Sequence, residues 1–440
     1  MARELTMPGA ALPAPPRRAL TPTRGWPKPA RKSMPFSGLM IFTFVLFVAP
    51  QNLIPALESL MLAKLAVAFA AIGYLVNRAM TGGPLTVRTA PVKWALVLAV
   101  LGVLSIPAGY WPGGSVNAYT DLFAKSIVIF VLIANVVDTQ ERFRIFVGSM
   151  IAWGVFTAVN AVVNYATGRL DPTGQRIAGY ESPLAVNPND LALTMNILIG
   201  LAIGLLAVVR SRAKRLALIA AIGIMIAGVV VTFSRSGFVT LGVVGAIWAA
   251  RRLRERGGRA LPSIAIVALV VALAVPAGYS DRLSTIVHTD QDTTGSADER
   301  WETMALAVRL IAERPVLGYG LGNNVHVSFD RTGLSREAHN AYLKLGAELG
   351  VAALVVYVLF LFSSIAAARA VRKFFRAREE GWELGRLAGG VELALIAFAV
   401  GAFFAPVPYH FYAYYPAGLA VAIFAIAARV PAPPARRRTD

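Results

Sequence analysis

The sequence predicts an all-α polytopic membrane protein, with about twelve transmembrane helices and one long far-side loop carrying amphipathic helices. Three observations predict it. Apolar residues make up 56% of the 440, charged residues only 15%, and mean hydropathy is +0.60. Apolar stretches recur along the chain near the length of about 20 residues needed to cross about 30 Å of hydrocarbon. The basic residues, which give a net charge of +19, fall in short blocks between those stretches, as topology determinants do.

Each element follows in order. Residues 1–35, rich in Pro, Ala and Arg, cannot bury a core and read as a basic cytoplasmic tail. They lack the features of a cleavable signal peptide. Spans are expected near 37–56, 59–77, 92–110, 120–137, 143–166, 188–209, 214–232, 236–250 and 262–279, then 341–368, 388–405 and 409–429. The resulting organisation is a tail (1–35), nine helices (36–279), the far-side loop (280–340), three helices (341–429) and a basic tail (430–440).

The charges test the count independently. Arg142 and Arg144, the run from Arg251 to Arg259, and the run from Arg369 to Arg386 all fall on one side if twelve spans are assumed. The intervening loops 110–119 and 406–410 have no Lys or Arg. An error of one span would break this alternation, so both termini are expected inside. The same distribution argues against a nucleic-acid partner. With no cysteine, disulfides, thiol nucleophiles and cysteine metal sites are excluded. The four histidines are too scattered to suggest a metal ligand set, and no cofactor is expected.

Arginines on the far side are the exceptions, and they carry the chemistry. Arg235 interrupts an apolar run in Ser234-Arg235-Ser236-Gly237, Arg176 lies in the loop 167–187, and Arg300 heads an amphipathic stretch ending near Arg314-Pro315. A guanidinium offers a planar fork suited to phosphate or carboxylate. Snorkelling, loop charge and pairing with Asp298 or Glu299 are the plainer explanations. Asn187-Pro188-Asn189-Asp190 reads as a helix N-cap. His339, in Arg336-Glu337-Ala338-His339-Asn340-Ala341-Tyr342, enters the tenth span, where an imidazole faces protein or water rather than lipid. With a pKa near 6.5 it can take and return a proton, or it can simply anchor a helix end. Tyr409, His410 and Tyr412 at the last far-side turn either line the same cavity or act as interfacial anchors.

Three motifs in order resemble the O-antigen ligase and Wzy-type polysaccharide polymerase superfamily. They are Thr232-Phe233-Ser234-Arg235-Ser236-Gly237, then Arg300-Trp301 running on to Arg314-Pro315-Val316-Leu317-Gly318-Tyr319-Gly320-Leu321-Gly322-Asn323, and finally His339-Asn340-Ala341-Tyr342-Leu343 with Gly346, Glu348, Leu349 and Gly350. The resemblance implies a metal-independent, inverting glycosyltransferase of the GT-C kind. Its donor would be a glycan on undecaprenyl pyrophosphate, and its acceptor a lipid A-core or a lipid-linked glycan on the periplasmic face of the bacterial inner membrane. By position, His339 matches the family's histidine, the candidate general base. Arg176, Arg235 and Arg300 match basic positions that hold pyrophosphate, and Asn340 joins the substrate-binding set. The resemblance favours a ligase over a polymerase on the strength of one principal outward loop. A twelve-span transporter or flippase of lipid-linked sugars is the competing class, but no counterpart of 280–340 exists in the first half, as related repeats would provide.

Overall fold

A computed structural model describes residues 33–169, 177, 182–274 and 296–430. Residues 1–32 and 431–440 of the basic tails, Arg176 and the first part of the loop 280–340 lie outside the described residues.

The described chain is helical, with no β-strand. In chain order the helices are α1 Met34–Val48, α2 Leu62–Thr81, α3 Ala90–Ser105, α4 Pro112–Val136, α5 Gln140–Ala166, α6 Pro188–Leu206 and α7 Arg212–Val231. They continue as α8 Arg235–Arg256, α9 Leu261–Ala274, α10 Ser296–Glu313, α11 Asn324–Thr332, α12 Ala341–Phe374, α13 Trp382–Gly401 and α14 Phe411–Ala427. Seven are long and apolar enough to cross a membrane, counting from Pro55 for α2; α1, α3 and α14 are shorter apolar helices. The protein is thus a polytopic membrane protein. Each of the twelve predicted segments overlaps a helix, and α10 and α11 are the helices among the described residues of 280–340.

Two boundaries differ from expectation. The first span ends at Val48, because Ala49 adopts a left-handed φ of 42° and Pro50 follows. A short helix and a 3-10 turn then occupy Pro50–Leu60 where a tight connection was expected. Arg300 does not head its helix as expected: α10 begins at Ser296.

The apolar faces report the layers. Helices α6 and α13 are buried almost all round and form the centre. By contrast α2 leaves Leu65, Ile72 and Met80 exposed, the character of a lipid-facing helix. Two apolar helices in lipid gain little from hydrophobic burial against each other, so close packing must hold them. Gly200 and Gly204 of α6 meet Gly390 and Ala394 of α13 at a four-residue spacing. A Cβ on Gly204 would stand 2.8 Å from the Gly390 Cα, and one on Gly200 2.7 Å from the Ala394 nitrogen.

One end of this bundle gathers the turns 106–111, 182–187, 232–234, 333–340 and 402–410. The opposite end gathers arginines against few acids. There the buried Glu392 carboxylate receives Arg251 (3.0 Å), Arg369 (2.7 Å) and Arg372 (2.5 Å), and Arg386 pairs with Glu255 at 2.6 Å. Glu392, which falls within the predicted span 388–405, is therefore fully paired.

Candidate functional site

The site is organised by a break in α12. At Gly350 the backbone takes φ 83°, ψ 176° inside an otherwise continuous helix, a region essentially closed to side-chain-bearing residues. The break frees backbone groups that the glycine run 315–322 satisfies. Tyr319 N–H donates to the Ala347 carbonyl (2.9 Å), Gly320 N–H to the Glu348 carbonyl (2.8 Å), and Val351 N–H to the Pro315 carbonyl (2.8 Å). Gly318 must lack a side chain, since a Cβ would sit 2.4 Å from the Glu348 carbonyl carbon. The loop is thus bonded into the transmembrane helix rather than resting on it.

The docking sets the position of His339. Asn324, first residue of α11 and 3% exposed, accepts the Ala338 N–H on its Oδ1 at 3.0 Å. Asn340 N–H donates to the Ala338 carbonyl at 2.7 Å, closing a tight turn around the histidine. Asn340 then caps α12, its Oδ1 accepting from Tyr342 N–H (2.9 Å) and Leu343 N–H (3.1 Å). Its demonstrable role is therefore helix capping. Ala341 N–H donates to the Ala402 carbonyl at 2.8 Å, which ties the same turn to the end of α13.

Below it runs a buried charge relay that single-residue reading of the sequence passed over. Lys344 Nζ lies 2.8 Å from Glu337 Oε1 and donates to the Pro406 carbonyl at 3.3 Å. One turn further on, Glu348 is wholly buried. It accepts the Asn324 N–H at 3.1 Å, so its carboxylate faces the positive end of α11. It also interacts with the Lys344 charge and the Tyr409 hydroxyl. Burial and the Glu348 carboxylate push the Tyr409 hydroxyl far up. Burial and then Lys344 push His410 down to about 4, so its imidazole is neutral at neutral pH.

Arg235 opens α8 beside the start of α6. Phe233 holds a left-handed φ of 52°, uncommon for a bulky residue, and turns the chain so that Ser234 caps α8 by accepting Gly237 N–H at 3.1 Å. Ser234 also donates to Asn189 Oδ1 at 2.8 Å, and Asn196 Nδ2 donates to the Gly237 carbonyl at 3.0 Å. Gly237 is required by the close crossing, where a Cβ would meet the Ala192 Cβ at 2.5 Å. The N-cap of α6 is Asn187, as its motif suggested. Asn189 serves the crossing to α8 instead, while Asp190 takes a hydrogen bond from Asn187 at 2.7 Å and lies within electrostatic reach of Glu337.

The half-buried His339 imidazole is held below the usual histidine range, first by burial and then by the Arg300 guanidinium, against the opposing pull of Glu299 and Glu337. Arg336 takes up Glu299 at 3.0 Å and Glu302 at 3.5 Å. The structure therefore brings His339, Asn340 and Arg300 together, while Arg235 stands at the head of α8, whose Ser234 cap is bonded to Asn189 of α6. Arg176 lies outside the described residues. Glu337 and Glu348 stand inside quoted motifs, and their seven- and four-residue spacing from Lys344 was the available signal. Asn324 offered none, because its partner is a backbone N–H.

The arrangement can do three things chemically. It presents a neutral imidazole with a lone pair, it places a guanidinium beside that imidazole, and it keeps the surrounding carboxylates paired. The family model described as O-antigen ligase matches residues 220–358. That span contains Arg235, Arg300, His339, Asn340 and the break at Gly350. The resemblance seen in the motifs is thereby borne out over this region as an O-antigen ligase-like family. No curated protein matches the chain.

Proposed function

We propose that this O-antigen ligase-like membrane protein is a metal-independent, inverting glycosyltransferase. It moves a glycan from undecaprenyl pyrophosphate to a lipid A-core hydroxyl on the periplasmic face of the bacterial inner membrane. In this reading the chain crosses the membrane about twelve times with both ends inside, and the segment 280–340 is the periplasmic loop. His339 takes the proton from the acceptor hydroxyl as the hydroxyl oxygen attacks the anomeric carbon. The bond to pyrophosphate breaks on the opposite face, which inverts the configuration. Arg176, Arg235 and Arg300 hold the departing pyrophosphate by charge-assisted hydrogen bonds, and Asn340 keeps the base in register by capping its helix.

The observation that carries this reading is the half-buried His339, kept neutral beside Arg300 inside the region that matches the family. A base must be unprotonated at working pH, and a guanidinium beside it serves both that need and the leaving anion. A lone anchoring histidine at a helix end would require neither the Asn324 clamp nor the guanidinium.

The test is glycan transfer by purified protein in liposomes, with a carrier-linked oligosaccharide as donor and lipid A-core supplied or withheld. His339→Ala should retain its fold and lose roughly 10²–10⁴-fold in rate. Full activity in that variant removes His339 from the chemistry. Product formed by the wild type without lipid A-core makes the protein a polymerase instead. Carrier movement across the bilayer without transfer makes it a flippase.

A further inference from the structure

A second concave site stands beside the first. A pocket of about 330 Å³ is lined by Tyr110, Trp111, His326, Phe329, Asp330 and Ser335. That is at the lower end of the roughly 300–1,000 Å³ typical of small-molecule sites. It is built by two pieces that other contacts make rigid. Helix α11 buries Asn324, Val327 and Ser328 and turns His326, Phe329 and Asp330 outward at helical spacing. The turn before α4 is fixed to the glycine run: Tyr110 N–H donates to the Tyr319 carbonyl at 2.7 Å, and Asn323 Nδ2 donates to Ser115 Oγ at 3.0 Å. Gly114 lets the indole of Trp111 lie flat, since a Cβ there would touch the ring at 2.4 Å. The His326 ring stands edge-on to that indole at 4.9 Å. The Tyr110 hydroxyl donates to Asp330.

Trp111 and Phe329 stay 50% and 53% exposed, although both are held in place. An interfacial aromatic belt explains exposed tryptophan and tyrosine on a convex, lipid-facing surface. It does not explain a concave pocket in which the aromatics converge with a carboxylate and an imidazole. An exposed aromatic face next to hydrogen-bond acceptors fits a sugar ring, whose C–H face packs on an aromatic while its hydroxyls donate at the edge. The pocket also lies close to the proposed base. Asn324, which clamps the Ala338 N–H, begins the same helix, and His326 to Asp330 follow within roughly 3–9 Å of axial rise.

We propose that this pocket binds a pyranose of the acceptor glycan, adjacent to the ring whose hydroxyl is attacked; the assignment rests on the glycosyltransferase reading above. The probe is lipid-free oligosaccharide released from the acceptor by mild acid, titrated against the full chain in nanodiscs on a His339→Ala background, where no turnover occurs. Trp111→Ala and Asp330→Asn should each weaken binding by about tenfold or more. In the active protein they should raise the acceptor KM by a similar factor, with kcat and the donor KM unchanged. Asp330→Asn changes only one exposed group, so it reports even if Trp111→Ala folds poorly. Unchanged binding and acceptor KM overturn the proposal, as does a shift in donor KM alone. So does Trp111 fluorescence, taken as the difference from Trp111→Phe, that brominated lipid quenches and oligosaccharide leaves unaltered. Binding that depends on Trp111 in a wild type that transfers no glycan keeps the subsite and sinks the transferase reading; transfer indifferent to both substitutions does the reverse.

Discussion

Replacing Lys344 by methionine isolates the most buried charge in the site. The side chain keeps its length and loses its ammonium. Two carboxylates then lose a partner, but not equally. The Glu337 side chain is 38% exposed, so water screens it and its loss counts for little. Glu348 is 0% exposed and keeps only backbone donors and the Tyr409 hydroxyl around it. Leaving a buried charge without its partner costs about 3–5 kcal/mol, a large part of the roughly 5–15 kcal/mol that holds a typical fold. Thermal unfolding in detergent should show a fall of roughly 3–5 °C. The variant Lys344→Met/Glu348→Gln should recover about half or more of that loss, because glutamine still accepts the Asn324 N–H without carrying charge. Transfer should suffer in the single variant beyond any unfolding, since a loosened Glu348 frees the start of α11 and with it the Asn324 clamp on Ala338. The reasoning fails if the single and double variants melt at the same temperature, for then Glu348 bears no charge that Lys344 was needed to offset.

Two further outcomes follow from the site's geometry. Arg300→Gln removes one of the two causes that lower His339, so its pKa rises toward the ordinary value near 6.5. A base works only when unprotonated, so the acid limb of the kcat/KM profile should move to higher pH, on top of a pH-independent loss from the missing pyrophosphate contact; an unmoved limb means that Arg300 does not act on the base. Gly350→Ala places a Cβ 2.4 Å from the Val316 carbonyl oxygen, in a backbone region that costs about 1–3 kcal/mol before any clash. Folded yield should collapse, whereas Gly242→Ala, with nothing within 4 Å, should fold normally; equal yields of both would mean that the break in α12 is dispensable.

Most of the architecture was legible because membrane crossing imposes length, apolarity and one-sided charge on the chain. Boundaries failed where a local backbone event decided them. Ala49 and Met61, both in left-handed conformations, cut the first connection into short helical pieces, and neither residue type announces such a turn. Arg300 lost its place at a helix head because four residues of ordinary helix precede it. The site divides in the same way. His339 and Arg235 stood out because a charged or titratable group in an apolar context needs a reason. Glu348 and Lys344 sit in the same apolar context and four residues apart, yet a single-residue reading takes such a pair for a helix salt bridge.

What sequence spacing could not express is the discontinuity between them and the loop. Gly350 is one glycine among 38, and only its φ and the carbonyls it frees make it the anchor for residues 315–320. That anchor explains why the motifs occur together. The glycine run is held by the broken helix, the run ends where α11 begins, and α11 is held at its first residue by Glu348. Asn324 at that same residue then grips the peptide before His339. A change in any one of these links displaces the base through the next, so the motifs constitute one mechanical unit. The positioning of His339 is accordingly a property of the loop and α12 jointly, and a substitution at Gly318 or Gly320, far from any proton, should slow transfer by moving the histidine rather than by altering its chemistry.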